Sequence, residues 1–434
     1  MYDPKTETMP REEMRKLKDE RLRATVRHIY DNVKFYRERM EARGISPDDI
    51  RGMDDLPKLP FMEKDDYREQ YPFGMLGVPM GDIVRIHASS GTTGKPKVAA
   101  YTRGDLEVWA ECTARSLGCG GVTKNDMVQV AYGYGLFTGG LGLHDGAARL
   151  GAAVVPASSG NTEKQVALIQ DFKVDALCCT PSYALQIAEV AEKMGVDMRK
   201  LPLRVGFFGA EPWTEAMRLS IEERLGIRAH DIYGLTEVSG PGVGCSCEAQ
   251  DGIHIFDDHF HPEIVDPETG EPLPDGEKGE LVFTCLTKRG MPVIRYRTHD
   301  LTRLYPLSEK CACGRTFRRI ERLQGRTDDM LIVRGINVFP SQVEDVLVRI
   351  KGVLPQYLIV VDRKGNLDTM EIKVEIQEHY FSDEVRKIEA LRDEIQHQIK
   401  SILNLKAKIT LVEPGGLGRS LGKAKRAQDL RKLV

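Results

Sequence analysis

The sequence has no long hydrophobic run and no excess of charge of either sign. No stretch approaches the roughly 18 apolar residues that a membrane-spanning helix needs, and the amino-terminal stretch is too highly charged for a signal peptide. The 62 basic and 65 acidic residues give a formal charge of −3, which offers no argument for a nucleic acid or membrane partner. Internal repeats and low-complexity segments are also missing. We therefore expect a cytoplasmic protein with neither of those partners.

The length of 434 residues predicts two or three domains. Between residues 126 and 237 short apolar runs alternate with helical stretches, which indicates a parallel, doubly wound sheet. From residue 253 to 305 strands and turns predict a β subdomain. After Gly325 a compact unit follows, with a hairpin and a long helix that ends near Leu403.

The densest local motif is SSGTTGKPK at residues 89–97, between two strand-like segments. Glycines, hydroxyls and lysines packed this closely can surround phosphate oxygens with backbone N–H groups, hydroxyl donors and positive charge. The run is not a Walker A loop, because Ser89 and Pro96 stand where that pattern requires Gly and Ser or Thr. Its composition indicates a phosphate-binding loop, with a flexible polar hairpin as the alternative.

Two further runs carry carboxylates where a nucleotide could bind. YGLTE at residues 233–237 follows a predicted strand, and ligands of doubly wound sheets gather beyond the carboxyl ends of strands. There Glu237 could hold Mg²⁺ and Tyr233 could stack on a base, or Glu237 could be an exposed residue of an ordinary turn. Downstream, Asp300 could accept hydrogen bonds from ribose hydroxyls and Arg326 could bind a phosphate, although surface salt bridges would explain the same charges.

The motifs become specific as an ordered set: SSGTTGKPK, YGLTE, YRTHD, GRTDD and a Gly-Lys pair near the carboxyl end. This set resembles the adenylate-forming superfamily of acyl-CoA synthetases, adenylation domains and luciferases. Longer stretches are similar to the phenylacetate-CoA ligase family within it, from about residue 55 to 430; they include YGYGLFTGGLGLH and GRTDDMLIVRGINVFPSQVE.

The resemblance implies a reaction in two steps. A carboxylic acid attacks the α-phosphate of ATP and releases pyrophosphate, and the thiol of coenzyme A then displaces AMP from the acyl-adenylate. ATP, Mg²⁺ and coenzyme A are therefore the expected cofactors. An aryl acid, phenylacetate first, is the expected substrate, and a homodimer is the expected assembly.

The resemblance also implies a role for each matching residue. The β- and γ-phosphates are expected to bind Ser90, Gly91, Thr92, Thr93, Gly94 and Lys95. The adenine is expected to lie against Gly209, Ala210 and Glu211, with Tyr233 against its face, and Asp231 and Gly234 are further residues expected to bind the nucleotide. Asp300 would bind the ribose hydroxyls with Arg326 nearby, Thr236 would contact the α-phosphate, and Glu237 would carry Mg²⁺.

Lys423 matches the catalytic lysine of the superfamily's carboxyl-terminal domain. Its ammonium would offset the repulsion between the substrate carboxylate and the α-phosphate as they approach. In the family this lysine leaves after the first step, because the small domain rotates about a hinge, here Asp328. The implied fold is α/β: a large amino-terminal domain with doubly wound sheets and a β subdomain (residues 1–327), and a small mobile α+β domain (residues 328–434).

The acyl pocket is placed by composition and resemblance. The run YGYGLFTGG at residues 132–140 is rich in aromatic residues and glycine, which suit a flat apolar ring, although ordinary packing at a helix start would explain it too. The expected pocket residues are Tyr134, Phe137 and Gly206. HDGAARLG stands where relatives tend to have HYGAE, so Asp145 and Ala148 leave the identity of the acid open.

Four of the nine cysteines form two Cys-x-Cys pairs, which in a reducing compartment suggest a metal before a disulfide. The run CACG at residues 311–314 resembles half of a zinc knuckle. Family members with this pair tend to carry a Cys and a Gly-x-His upstream. We therefore expect a structural Zn²⁺ site formed by Cys247, His254, Cys311 and Cys313. Cys245, His259 and His261 are substitutes, and free thiols are the alternative.

Two other functions stay open from the sequence. One is an adenylase that loads an aryl acid onto a carrier protein supplied in trans, since this chain has no carrier domain. The other is a catalytically inactive, zinc-bearing binding protein. Retention of Lys423, Glu237 and the phosphate loop argues against the second.

Overall fold

The structure is a computed structural model that describes residues 1–89, 96–334, 336–364, 367–378, 380, 385–418 and 426–431. Several residues expected at the site lie outside the described residues: Ser90, Gly91, Thr92, Thr93, Gly94, Lys95 and Lys423. Across the described ranges, no helix combines the length and the apolar character that crossing a membrane requires.

The chain begins with helices that pack on the rest of the molecule. They are α1 (Pro4–Glu7), α2 (Arg11–Asn32), α3 (Lys34–Glu41) and α4 (Lys64–Glu69), with 3₁₀ turns at Pro47–Asp49 and Met53–Lys58. Leu22, Val26 and Ile29 recur at helical spacing on α2 and are fully buried. The charged stretch 11–44, with apolar residues at helical spacing and Gly44 at its end, predicts a helix or a helix pair, and α2 and α3 confirm this.

Helices and strands alternate through the large domain, followed by a run of strands. The elements are β1 (Ile83–Ala88), β2 (Val98–Thr102), α5 (Arg103–Cys119), β3 (Met127–Val130), α6 (Thr138–Leu150), β4 (Ala153–Val155), α7 (Thr162–Phe172), β5 (Ala176–Cys179), α8 (Pro181–Lys193), β6 (Val205–Phe208), α9 (Glu215–Leu225), β7 (Arg228–Leu235), β8 (Gly240–Ser246), β9 (Ile253–Ile255), β10 (Phe260–Val265), β11 (Lys278–Cys285), β12 (Tyr296–Arg303), β13 (Arg319–Ile320) and β14 (Gly325–Arg326). Further 3₁₀ turns lie at Met80–Asp82, Met198–Lys200 and Thr327–Asp329.

These strands form three sheets. The eight-stranded sheet has the order β13-β9-β8-β7-β6-β5-β3-β4, in which β3 to β7 are parallel and β8, β9 and β13 are antiparallel. A four-stranded antiparallel sheet has the order β10-β11-β12-β14, and β1 and β2 form a separate hairpin. The β subdomain predicted downstream of residue 253 therefore forms.

The large sheet is covered on both faces. Along β5, Ala176 and Cys178 belong to the core shared with α5 and α6, whereas Leu177 and Cys179 belong to the core shared with α7, α8 and α9. Successive side chains of a strand point to opposite faces, so helices lie on both sides of the sheet. The doubly wound sheet predicted from the sequence is confirmed.

The small domain has a hydrophobic core of its own. Its elements are β15 (Leu331–Val333), β16 (Ile336–Val338), α10 (Pro340–Leu347), β17 (Val353–Lys364), β18 (Leu367–Ile376), α11 (Val385–Leu403), β19 (Lys408–Val412) and β20 (Ala427–Asp429). Four strands form a sheet in the order β19-β18-β17-β20. The buried apolar residues of this domain, from Leu331 onward, form a cluster separate from those of the large domain. The predicted small α+β domain is therefore present.

Candidate active site

The Glu237 carboxylate lies where the three sheets of the large domain meet. It follows the end of β7, Lys97 reaches it from the start of β2, and Tyr296 reaches it from β12. Lys97 forms an ion pair with Oε1 of Glu237, and the Tyr296 hydroxyl donates to the same oxygen at 2.7 Å. Glu237 is thus a buried, paired carboxylate and not an exposed turn residue.

The main chain around Glu237 is held as firmly as its side chain. The buried Lys288 ammonium donates to the Glu237 carbonyl oxygen at 2.7 Å, and the Tyr67 hydroxyl donates to it at 3.3 Å. Next to it, the buried Thr236 accepts a hydrogen bond at its own carbonyl from Tyr101 at 3.4 Å. These contacts fix the direction in which the Glu237 carboxylate points.

The surroundings of Glu237 keep its carboxylate ionised. Burial raises its pKa, but the charge of Lys97 and the hydrogen bonds from Lys97 and Tyr296 outweigh burial and lower the pKa to about 2. A carboxylate that stays charged and buried next to a predicted phosphate loop is suited to binding a hard cation such as Mg²⁺.

A second acidic site connects the large sheet with the antiparallel sheet. The Tyr233 hydroxyl donates to Oδ2 of the buried Asp300 at 2.6 Å, and Arg326 donates to Oδ1 at 2.9 Å. Asp300 and Arg326 are directly opposed in the register of β12 and β14. The Tyr233 ring lies 5.9 Å from the ring of Phe283, tilted by 30°. The structure therefore brings together three of the residues expected at the nucleotide.

The residues after β6 approach the end of β7 very closely. A Cβ at Gly209 would lie 2.1 Å from the carbonyl oxygen of Ile232, so only glycine fits there. Ala210 has a φ of +71°, and Glu211 accepts the backbone N–H of Ser182 at 2.7 Å, at the start of α8.

Two other residues expected at the nucleotide, Asp231 and Gly234, lie in β7. Asp231 is buried and is two residues before Tyr233, so their side chains share a face of the strand. A Cβ at Gly234 would lie 1.8 Å from the carbonyl oxygen of Gly240 in β8. Asp231 thus lies in the middle of β7, and Gly234 lies at the end that leads to Glu237.

The residues expected at the acyl pocket are less closely grouped. Tyr134 is half-buried, and its hydroxyl lies 3.4 Å from Nδ1 of His144. Phe137 occupies the N-cap position of α6. Gly206 is inside β6, where a Cβ would lie 2.2 Å from the Phe208 ring. Asp328 lies in the 3₁₀ turn Thr327–Asp329 between the two domains. These assignments stay predictions.

Four residues that hold Glu237 are not predicted from the sequence: Lys97, Tyr296, Lys288 and Tyr67. Lys97 stands inside the SSGTTGKPK motif and Tyr296 inside the YRTHD motif. Because a buried Glu237 needs a counter-charge, Lys97 could have been predicted as its partner. Lys288 has no recognisable signal, because a lysine in a polar turn is usually exposed.

The four expected metal ligands are brought together at the far edge of the large sheet. The ligand atoms of Cys247, His254, Cys311 and Cys313 lie within 4.8 Å of one another. Sγ of Cys247 and Sγ of Cys311 are 3.6 Å apart, and Sγ of Cys313 is 3.4 Å from Nε2 of His254. Cys245, an expected substitute, is opposite His254 in the register of β8 and β9.

Comparisons with known proteins agree with this geometry. Two family models match: "AMP-binding enzyme" over residues 7–285 and "AMP-binding enzyme C-terminal domain" over residues 335–431. A phenylacetate-coenzyme A ligase from Thermus thermophilus is 52% identical over 446 residues and covers 100% of both chains.

Two crystal structures of a 2-hydroxyisobutyryl-CoA ligase share the fold. The one in the postadenylation state, in complex with R3-HIB-AMP, has a TM-score of 0.91 at 30% identity and covers 98% of this chain and 91% of that one. The one in the thioesterification state has a TM-score of 0.73 at 31% identity and covers 99% and 92%. The domain arrangement of this chain is therefore closer to the postadenylation state.

Fold and site together define an AMP-binding enzyme, an ATP-dependent ligase that activates a carboxylic acid as an acyl-adenylate and transfers it to coenzyme A. Within this class the chain belongs to the phenylacetate-coenzyme A ligase family.

Lys97→Met should destabilise the large domain, because it leaves the Glu237 carboxylate buried without its counter-charge. Removing one partner of a buried ion pair costs about 3–5 kcal/mol. Glu237 has a folded-state pKa of about 2, below its ordinary value of 4.5. Its ionised form therefore stabilises the folded protein fully above pH 4.5, and this stabilisation is lost as the pH falls toward 2. The loss caused by the substitution should therefore be largest near neutral pH and smaller in acid, as measured by urea denaturation.

Lys193→Met is the matched control, because Lys193 and Glu189 form an exposed ion pair at 2.8 Å. It should cost no more than about 1 kcal/mol at any pH. Equal effects of the two substitutions would show that Lys97 does not stabilise Glu237.

Proposed function

We propose that this enzyme activates phenylacetate with ATP and transfers the phenylacetyl group to coenzyme A, releasing AMP and pyrophosphate. The observation that carries the proposal is the whole-chain similarity to a phenylacetate-coenzyme A ligase, together with the charged site at Glu237, Asp300 and Arg326. The half-buried Tyr134 and Phe137 at the start of α6 support an aromatic acid, because an aryl ring packs well against such side chains.

We assign the nucleotide contacts from this geometry. Asp300 has one oxygen held by Tyr233 and the other by Arg326, so it is oriented to accept hydrogen bonds from ribose hydroxyls. Gly209, Ala210, Glu211 and Tyr233 are assigned to the adenine, and Asp231 and Gly234 are further residues assigned to the nucleotide. Thr236 is assigned to the α-phosphate.

The predicted phosphate contacts and the metal ion complete the nucleotide site. Glu237 would hold Mg²⁺, which when bound would neutralise phosphate charge. Ser90, Gly91, Thr92, Thr93, Gly94 and Lys95 are assigned to the β- and γ-phosphates.

An acid panel tests the substrate. With ATP and Mg²⁺ present, the enzyme should release pyrophosphate when phenylacetate is added. Phenylacetyl-CoA should form when coenzyme A is added as well. Burying an aromatic ring stabilises binding by about 1.5–3 kcal/mol, so kcat/KM for phenylacetate should exceed that for acetate by at least about tenfold. Pyrophosphate release without any thioester would favour a carrier protein as acceptor, and no acyl-adenylate from any aryl acid would favour the inactive binding protein.

We further propose that Lys423 promotes the first step only, and that the small domain turns about Asp328 between the steps. The separate core of the small domain and the different TM-scores for two states of one related ligase support a movable domain. Lys423 would place a positive charge between the two reacting anions, a need that ends once the acyl-adenylate has formed.

Lys423→Ala should slow acyl-adenylate formation by at least about a hundredfold, since a charge that stabilises a transition state is commonly worth several kcal/mol. Thioester formation from synthetic phenylacetyl-adenylate should stay within a few-fold of the unaltered enzyme. Lys425→Ala, two residues away in the same basic segment, is the control and should leave both steps nearly unchanged. Equal loss of both steps in the Lys423 variant would refute the assignment.

A structural zinc ion is the proposed occupant of the cysteine and histidine cluster. Tetrahedral zinc with Zn–S bonds of about 2.3 Å places its sulfur ligands about 3.8 Å apart, and the 3.6 Å between Cys247 and Cys311 fits this. Strand β8 starts at Gly240, beside the Glu237 site, and runs away from that site. Cys247 follows the other end of β8 and is therefore remote from Glu237. Four protein ligands would leave no position open, so the ion would stabilise the loop before β13 and take no part in the reaction.

Zinc content tests this assignment. Protein purified without added metal should contain about one zinc per chain, and Cys311→Ser should lose it and lower the thermal midpoint. Cys112→Ala, in α5, removes a buried thiol outside the cluster and should keep the zinc. Less than about half an equivalent in the unaltered protein would contradict the proposal.

The remaining expectations concern location and assembly. Nine free cysteines, eight of them buried, are consistent with a reducing, cytoplasmic compartment. We propose a homodimer from the family resemblance alone. A measurement of the protein's molar mass in solution tests this.

A further inference from the structure

Strand β12 bulges at Asp300, the residue assigned to the ribose. The register between β11 and β12 shifts between Glu280 and Val282, because β12 has extra residues there and places residues 298–300 in a bulge. A bulge redirects the side chains of the strand that carries it, and bulges are found preferentially beside functional sites. The bulge therefore determines where the Asp300 carboxylate points.

The residue before Asp300 has a strained backbone. His299 has a φ of +64°, a conformation that is unfavourable for a residue with a side chain. Its N–H donates to Oε1 of the fully buried Glu280 at 3.1 Å. The Thr298 hydroxyl donates to the Leu281 carbonyl oxygen at 2.7 Å and accepts the Asp300 N–H at 3.0 Å. These hydrogen bonds maintain the bulge, and strain of this kind is typical of functional sites.

The His299 ring lies against the segment that joins the two domains. Its Nδ1 is 3.1 Å from Oγ1 of Thr327 and 3.5 Å from Oε1 of Glu280. Thr327 is the first residue of the 3₁₀ turn in which the expected hinge lies. The residue before it, Arg326, is paired with Asp300 at 2.9 Å. Two consecutive residues of the bulge therefore hold two consecutive residues at the start of the hinge segment.

The contact between His299 and Thr327 is partly shielded from water, since only 22% of the His299 side chain is exposed. The proposed rotation of the small domain would change backbone angles in this 3₁₀ turn, so a contact to Thr327 stabilises the arrangement in which it forms. The arrangement in the structure resembles the postadenylation state of the related ligase, with a TM-score of 0.91, more than its thioesterification state, with 0.73. Loss of the contact should therefore affect the two steps unequally.

We propose that His299 is a positioning residue that couples Asp300 to the hinge segment. Its left-handed backbone aims the Asp300 carboxylate at the nucleotide, and its ring holds Thr327 in the arrangement used for acyl-adenylate formation. The inference rests on the proposed function, in which Asp300 binds the ribose and the small domain rotates about Asp328 between the steps. His299 touches no reacting atom.

Three variants separate the ring from the backbone: His299→Gly, His299→Val and Thr327→Val. Glycine adopts a positive φ readily, so His299→Gly keeps the bulge and removes only the ring, whereas valine strongly disfavours that φ. Thr327→Val removes the same contact from the other side with a side chain of similar shape. Each variant, and the double variant of His299→Gly with Thr327→Val, is assayed for pyrophosphate release with phenylacetate, for thioester formation from synthetic phenylacetyl-adenylate, and by thermal denaturation.

His299→Gly and Thr327→Val should each lower the rate of adenylation relative to that of thioester formation about fivefold, the effect of one lost hydrogen bond. The double variant should show about the same ratio as either single variant, because both substitutions remove one contact. The KM for ATP should stay within about twofold in these variants. In His299→Val it should also rise at least about fivefold, since Asp300 then points elsewhere.

Lys173→Gly is the matched control. Lys173 follows the end of α7, is exposed, and has a φ of +58°, close to that of His299. This variant should change neither the ratio of the two rates nor the KM for ATP, because it makes the same backbone change at a place that contacts neither Asp300 nor the hinge segment.

An unchanged ratio in His299→Gly or in Thr327→Val, with or without a lower thermal midpoint, would overturn the proposal. So would a double variant in which the two effects multiply, or a KM for ATP that is the same in His299→Gly and His299→Val. Failure of the proposed function would be seen separately, as no acyl-adenylate from the unaltered enzyme.

Discussion

The ion pair between Lys97 and Glu237 is the interaction on which the candidate site depends. The two residues are 140 positions apart, and they connect the β1–β2 hairpin to the end of the large sheet. Tyr296 adds the antiparallel sheet through the same carboxylate oxygen. A buried carboxylate needs a counter-charge, so the charge of Glu237 requires the three sheets to meet at this point. The proposed nucleotide site lies at that meeting point.

The β1–β2 hairpin belongs to neither of the two larger sheets. Segment 90–95 lies between β1 and β2, so the position of the hairpin decides where the predicted phosphate loop begins and ends. Besides Lys97, it is held by the Ala88 N–H, which donates to the Leu136 carbonyl at 2.9 Å. These contacts attach it at the two places where substrates are proposed to bind: the Glu237 turn and the start of α6.

The sequence predicts those features that local patterns determine. The alternation of strands and helices predicts the doubly wound sheet, and the motif order predicts Glu237, Asp300 and Arg326. Glu237 follows β7, and Asp300 and Arg326 are opposite each other on β12 and β14. The Cys-x-Cys spacing with the family resemblance predicts a cluster that forms in full. Long-range pairing is what the sequence does not show: Lys288 reaches the Glu237 carbonyl from 51 residues away, and only the folded chain reveals that this lysine is buried.

Asp145 shows how the structure changes the meaning of a sequence departure. From the sequence, an Asp in place of the Tyr usual in relatives leaves the identity of the acid open. In the structure its carboxylate pairs with Arg85 of β1 at 2.5 Å, and both side chains are about three-quarters buried, with 28% and 25% exposed. A carboxylate engaged by arginine is not free to repel or bind the carboxylate of a substrate. The aspartate at this position therefore attaches α6 to the β1–β2 hairpin through an ion pair.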